Sequence, residues 1–347
     1  MYGTSGVLNL AGRTSSRYGK LGSQELERII LDKIRNSRTL LGPRPGVDFG
    51  IYSGGAGKII ATTDPLSCHR PLGLDFAARF GFHIVMTDFM ASANVPDYMT
   101  VTLTLPTDFS NDSLEEYWDA FTREAEKWSV DIVTGHTGRY PSSSLPLIGS
   151  LTMIGTEKTA IPDFRRTRSE DQIYVMGIPG IQAAVVMASY GIGGDPESAE
   201  IRNLMEMKEE MIPSYRTKNI IDFHNQTNSV LFIHDVTEGG MVNASNELSS
   251  LVGMDIHLAG NMLNSSPLVC SYLEKFGINP LETTGEGCIL VGIMKEFSEE
   301  FEKFMSGKGI RVSRAGYFSA NKGGNVFLDG QMWDPIDGDP YWGAIKK

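Results

Sequence analysis

Ile59-Ile60-Ala61-Thr62-Thr63-Asp64-Pro65-Leu66 is an apolar, β-branched run that carries a single carboxylate toward its end. Its composition predicts a buried strand, and Pro65, which has no N–H for the ladder, predicts that the strand stops there. Asp64 is therefore expected at a strand exit. Two more acids close apolar runs: Asp88 after His83-Ile84-Val85-Met86-Thr87, and Asp235 after Val230-Leu231-Phe232-Ile233-His234. One such Asp on its own is commonly a helix cap or turn residue. Three of them suggest one site for a metal and a phosphate.

Upstream, Val47 to Tyr52 alternates like a strand, and Ser53-Gly54-Gly55-Ala56-Gly57 lacks the Lys-Ser/Thr ending of a phosphate loop, so a hairpin joining 48–52 to 58–63 is the better reading. Residues 1–21, rich in Gly, Ser and Arg, read as a flexible arm or a lid over a ligand. Ser23 to Asn36 has the apolar spacing and charge polarity of an amphipathic helix. Downstream, Leu72 to Phe80 reads as a helix and Phe82 to Met86 continues its apolar character toward Asp88 and Ala91-Ser92-Ala93, so one long buried helix is expected through the region, with Asp88, unlike Asp64, on a helix. Tyr98 to Leu105 alternates Thr with apolar residues as a half-exposed strand. Asp112 to Trp128 is an amphipathic helix capped by Asn111 or Asp112. Val130 to Thr134 is a buried strand ending in the turn Gly135-His136-Thr137-Gly138-Arg139, and Leu145 to Ile154 is another strand.

The charged, Pro-containing stretch Thr156 to Asp171, with Arg165, Arg166 and Arg168, marks a domain boundary: a 22–160 domain followed by a 161–347 domain. Those arginines are a solvated linker or an anion contact. The second half repeats the rhythm, with strands at 173–177, 229–234, 254–257, 287–293 and 312–318. Helices fall at 180–190, 199–211, 214–223, after Asp235, at 267–276 and at 297–305. Met205, Met207 and Met211 read as core filler. The fold class is α/β or α+β with a mostly antiparallel sheet.

Net charge is −11 over 347 residues, with no Lys/Arg-rich block, so a nucleic-acid surface is not indicated. Cys68, Cys270 and Cys288 form no CxxC pattern, so neither a disulfide framework nor a zinc site is indicated, and all three are expected to be buried. No apolar run reaches the length of a membrane span and no signal peptide is visible, so the expected location is the cytoplasm. Carboxylates without a Cys/His cluster favour a hard cation such as Mg²⁺, which in turn points to ATP. Asp48, Asp64, Asp88 and Asp235 are the candidate metal ligands. Gly135, Thr137 and Gly138 could offer phosphate donors, or form a plain turn. His136 and His234 are candidates for general base or phosphate donor, against a structural role, and His69, His83, His224 and His257 are expected to be structural.

These motifs, in this order over roughly residues 40–330, resemble the aminoimidazole ribonucleotide (AIR) synthetase-like superfamily. Its relatives include that purine enzyme, thiamine-monophosphate kinase, selenophosphate synthetase and the hydrogenase maturation factor HypE. Val47-Asp48 and Thr62-Thr63-Asp64-Pro65-Leu66 resemble its first acidic motifs, Thr87-Asp88-Phe89-Met90-Ala91-Ser92-Ala93 its Asn-Asp segment, and Gly135-His136-Thr137 its phosphate loop. Ile233-His234-Asp235-Val236-Thr237-Glu238-Gly239-Gly240 with Asn246-Glu247, Asn279-Pro280-Leu281 and Gly285-Glu286-Gly287 resemble the HypE branch most. The resemblance implies an N-terminal α/β domain whose sheet pairs with a second copy into a barrel, a C-terminal α/β domain, and ATP with Mg²⁺ in the cleft. It implies catalytic roles for Asp64, Asp88 and His234, and nucleotide contacts at Gly135, His136, Thr137, Gly138, Thr237, Gly239 and Gly240. The expected activity is phosphoryl transfer to an oxygen of a small or carrier-bound substrate by a homodimer; the alternatives are a small-molecule kinase, or a nucleotide-binding assembly or regulatory subunit without turnover. The residues Gly343-Ala344-Ile345-Lys346-Lys347 lack the branch's Cys tail, so carbamoyl transfer is not expected, and neither is selenophosphate synthesis, whose N-terminal catalytic Cys is absent. Thr87, Phe89 and His136 depart from the usual residues at their positions, which bears on the metal count and on the kinase alternative.

Overall fold

The computed structural model describes residues 23–34, 39–55, 57–263 and 266–345; the arm at 1–21 lies outside them. Six strands form a first sheet: β1 (Thr39–Leu41), β2 (Gly50–Gly54), β3 (Gly57–Ser67), β4 (Tyr98–Leu105), β5 (Asp131–Arg139) and β6 (Leu147–Thr156). They lie in the order β1-β2-β3-β6-β4-β5, antiparallel except for β4 with β5. The expected hairpin is β2–β3, with Gly54 facing Gly57.

The strand through Asp64 does not stop. β3 continues to Ser67, with Asp64 opposite Leu151 and Pro65 opposite Ser150. β2 pairs only as far as Ala61, so β3 has an open side beyond it, where the ladder tolerates a proline.

After a short α1 (Ser23–Ile29), α2 (Leu74–Met90) and α3 (Asn111–Trp128) cover one face of this sheet. α2 is apolar on nearly every side because it lies between the sheet and the second half of the chain. Gly81 lets it rest directly on β3: a Cβ there would come within 2.9 Å of the Ser67 carbonyl oxygen. α3 is amphipathic, but its cap is Ser110, whose hydroxyl accepts from the Ser113 N–H at 3.1 Å, and not Asn111 or Asp112.

The second sheet comprises β7 (Gln172–Met176), β8 (Val230–Asp235), β9 (Ile256–Leu258), β10 (Ile289–Ile293), β11 (Ser313–Phe318), β12 (Val326–Leu328) and β13 (Gln331–Met332). Their order is β13-β12-β9-β11-β7-β10-β8, antiparallel except for β12 with β9. β7, β8 and β10 are buried on both faces, as their continuous apolar runs require. The helices are α4 (Ile181–Ser189), α5 (Ala199–Glu206), α6 (Ser214–Thr227), α7 (Gly240–Val252), α8 (Pro267–Glu274), α9 (Ser298–Gly307) and α10 (Tyr341–Ile345). The expected helix 199–211 breaks after Glu206 into a 3₁₀ turn, and Met205, Met207 and Met211 pack into the core with α4 and α8. α6 reaches back to α2, where the Thr87 and Ser214 hydroxyls meet at 3.0 Å.

Two burial expectations are corrected. β5 is exposed along nearly its whole length, because it is the sheet's edge. Cys270 is half-exposed on α8, whereas Cys68 and Cys288 are buried.

Candidate functional site

Asp48 lies just before β2, Asp64 within β3, Asp88 in the last turn of α2, Asp235 at the end of β8, and Glu286 in the loop entering β10. They come from five segments and both sheets, and they converge. The Asp88 carboxyl is pushed well above the ordinary carboxylate range, first by burial and then by the charges of Asp235, Asp64, Asp48 and Glu286. Each of those four neighbours is another acid, so a cation from outside the chain would relieve the repulsion.

His234 is held in this cluster by two carboxylates. Its Nδ1 lies 2.8 Å from Asp48 Oδ2 and its Nε2 3.2 Å from Glu247 Oε2. Carboxylates only accept, so both ring nitrogens donate and the ring is an imidazolium. Burial opposes that charge, but Asp48 and Glu247 outweigh it and raise the pKa well above its ordinary value. Asp48, His234 and Asp235 offer atoms within 4.8 Å of one another, close enough to share an ion. A doubly donating imidazole has no lone pair for a metal, however, so a cation here would lie against the oxygens of Asp48 and Asp235. Asp48 is placed by its backbone, whose carbonyl accepts from the Thr62 hydroxyl at 2.9 Å.

The other predicted residues are placed differently. Gly135, His136, Thr137 and Gly138 do not form a turn after a strand; they are strand residues of β5, paired with Val101 to Thr104. The register Asp64–Leu151–Val101–Gly135 puts Gly135 three strands from Asp64, about 14 Å at the usual spacing. Gly135, His136 and Thr137 border an open cavity of about 290 Å³ walled by Leu103 and Trp118, and His136 bonds Tyr140 at 2.7 Å. Within one chain they do not join the acids. Thr237 and Gly239 lie in the turn between Asp235 and α7, and Gly240 is the first residue of that helix. Gly239 and Gly240 have φ of +78° and +63°, and the Gly239 N–H is taken up at 2.8 Å by Asp339.

His83, His224 and His69 are structural, as expected. His83 bonds Glu124 at 3.1 Å, His224 bridges the Ala160 carbonyl and the Val230 N–H, and His69 is buried between Phe80 and Tyr190. Of the loop arginines, Arg165 pairs with Asp163, and Arg166 bonds Asn228. Sequence reading missed Glu286 and Glu247 as site members and did not single out Asp339. Glu286 had a signal, its place between two glycines ahead of a strand. Glu247 reads as one more exposed helix acid until its histidine partner is known.

The two sheets with their helices define an α/β protein whose two halves both contribute to one group of acids. Residues 168–329 match the family model described as AIR synthase related protein, C-terminal domain. Thiamine-monophosphate kinase of Aquifex aeolicus (strain VF5) is 22% identical over 290 residues, covering 80% of this chain and 86% of that protein. Among solved structures, AaThiL complexed with AMPPCP and TMP superposes with a TM-score of 0.67 at 19% identity, covering 92% of this chain and 99% of that one. Hydrogenase maturation protein HypE in complex with ATP gives 0.64 at 17%, covering 93% and 97%. The fold is common to both kinds of relative and does not separate them. Among the described residues, no helix is long and apolar enough to cross a membrane.

Proposed function

We propose that the protein binds ATP with Mg²⁺ and transfers a phosphoryl group to an oxygen of a small or carrier-bound substrate. The observation that carries the reading is the convergence of Asp48, Asp64, Asp235 and Glu286 on Asp88. An all-oxygen donor set of this kind suits a hard cation that keeps waters and phosphates in its shell. Asp48, Asp64, Asp88 and Asp235 would hold Mg²⁺, which when bound neutralises the phosphate charge and aligns the transferred group. The chain's own residues supply position and field, the main demands of phosphoryl transfer. The His234 imidazolium has no free base site; it orients Asp48 and presents positive charge to the anion. The match to thiamine-monophosphate kinase, and the binding of AMPPCP with TMP by AaThiL and of ATP by HypE, support nucleotide-dependent transfer and favour a small-molecule kinase as the second reading. The division into 22–160 and 161–347 domains and a cytoplasmic location belong to the same reading.

The test is thermal unfolding with ATP and Mg²⁺ together and each alone. The pair should raise the midpoint, by the equivalent of about 2.7 kcal/mol at a hundredfold excess over Kd, and Asp64→Asn should abolish the rise. A shift without turnover on any phosphoryl acceptor would instead favour a nucleotide-binding assembly subunit. Binding without Mg²⁺ would sink the metal assignment.

The homodimer belongs to this proposal. Among the described residues β5 is an edge strand, and it exposes Ile132 and Val133 near Tyr98; open apolar edges are ordinarily covered. A second copy laid there would close the sheets into a barrel and carry its own Gly135 to Gly138 toward the acids. Val133→Asp should therefore halve the mass seen by light scattering while leaving the circular dichroism intact. A wild type that is already monomeric would refute the dimer.

A further inference from the structure

Asp339 lies in a stretch where sequence reading found no element, yet its side chain is 6% exposed. Its two carboxylate oxygens serve different loops. Oδ2 accepts the Gly239 N–H at 2.8 Å; Oδ1 accepts the Thr283 hydroxyl at 2.7 Å and the Tyr341 N–H at 2.9 Å. Gly239 follows Asp235 by four residues, and Thr283 precedes Glu286 by three. One carboxylate thus joins the two loops through which the second sheet delivers its acids. Those loops touch where Gly240 crosses Thr283: a Cβ there would lie 2.7 Å from the Thr283 backbone. On the Glu286 side, the Thr284 hydroxyl and the Glu286 N–H are both held by Gln182 Oε1.

The segment carrying Asp339 is itself anchored. Asn243 exchanges two hydrogen bonds with the backbone of Ile336, at 2.9 and 3.3 Å, and the Asn246 amide donates to the Trp333 carbonyl at 3.0 Å. Beyond it, Tyr341 is buried in the cluster with α4 and α8. The segment crosses the start of α7 and is pinned on both sides of the carboxylate. The N–H at a helix start that would ordinarily suit an anionic ligand is satisfied from within the chain.

We propose that Asp339 is a positioning residue for the acidic site: the C-terminal segment clamps the 236–240 and 281–287 loops together and so sets the separation of Asp235 and Glu286 around Asp88. Its effect on ligand affinity rests on the metal and nucleotide reading above; its effect on the loops does not. The test compares full-length wild type with Asp339→Ala, Asp339→Asn, which keeps one acceptor oxygen, and Thr283→Val, which removes one arm of the clamp. Two quantities are measured: amide hydrogen exchange of the ligand-free proteins, and the affinity for Mn²⁺ with AMPPCP as probe. In Asp339→Ala, exchange should rise about tenfold in both loops together while β7 and β10 stay protected. Affinity should fall by about tenfold, the lower end of what losing a support behind metal ligands costs. Asp339→Asn should recover part of both losses. If Asp339→Ala unfolds globally, Asp339→Asn and Thr283→Val provide the same comparison at smaller amplitude. Unchanged exchange in either loop would overturn the clamp. Raised exchange with wild-type affinity would overturn its role in the site. A wild type that fails to bind Mn²⁺ with AMPPCP would dispose of the metal and nucleotide reading, and loop exchange would still decide the clamp.

Discussion

Asp88→Asn should leave the ligand-free protein more stable than wild type at pH 7 while erasing its response to Mg²⁺ and ATP. The sign follows from linkage. A carboxyl whose folded pKa is raised holds its proton more tightly in the folded state, so its contribution is fully present below the unfolded value of 3.8. That contribution declines as pH climbs through the raised value. At pH 7 the folded state bears the cost of confining a carboxyl whose surroundings, burial first and then four other acids, disfavour its ionisation. Asparagine keeps the shape and removes the charge. The gain should be about 1–2 kcal/mol, the size expected when a site built for function is relieved of its strain, or roughly 1–3 °C in the midpoint. Scanning unfolding of both proteins, with and without ligand, decides it. A variant less stable than wild type when ligand-free would mean that the ionised Asp88 is held by favourable contacts and that the acids are not poised for a cation.

This trade also shows why some of the site could be read from the residues and some could not. Asp64, Asp88 and Asp235 stand out because each interrupts an apolar run, and burial makes an interruption costly unless it has a use. Their joint placement does not follow from local pattern, since it needs β3, α2 and β8 of two different sheets to meet. Pro65 misled because a proline ends a central strand but not one whose far neighbour has already left, and pairing partners are not a local property. β5 misled in the same way. Val130 to Thr134 has the composition of a buried strand, but its burial depends on being central, and the topology puts it at the edge. α2 was readable from end to end because its apolar character continues past one face, the mark of a helix buried on several sides. Glu247 and Asp339 show the limit. Each is an acid among polar neighbours in sequence, and each acquires meaning only from a partner far along the chain or across a turn: His234 for one, Gly239 and Thr283 for the other.

Because the site draws on both sheets, the packing that joins them bears on function, and α6 supplies a strong part of it. Glu124 on α3 accepts from His83 of α2 at 3.1 Å and from the Tyr215 hydroxyl of α6 at 2.8 Å. Lys127 donates to that hydroxyl at 2.6 Å, and Trp128 stacks on the Tyr215 ring at 5.4 Å. Burial works against the Glu124 charge, but the hydrogen bonds from His83 and Tyr215 outweigh it and bring its pKa from 4.5 down to about 2. Burial lowers the pKa of His83, so the ring is neutral and gives its Nε2 proton to the carboxylate. Glu124 thus contributes stability that is fully present above pH 4.5 and is lost as pH falls toward 2. His83 adds an acid penalty of the same sign, since unfolding lets its ring take a proton below 6.5. Glu124→Gln should cost about 2 kcal/mol at pH 7, within the range for hydrogen bonds to a buried charge. Its deficit against wild type should narrow steadily between pH 4.5 and pH 2 and be nearly gone at the lower end. Denaturant titrations across that interval measure it. A deficit independent of pH would show that the variant disturbs packing alone. A narrowing deficit would show that an ionised carboxylate, locked between two helices of the first sheet and one that reaches it from the second half, holds α2 in the place where Asp88 meets the acids of the other sheet.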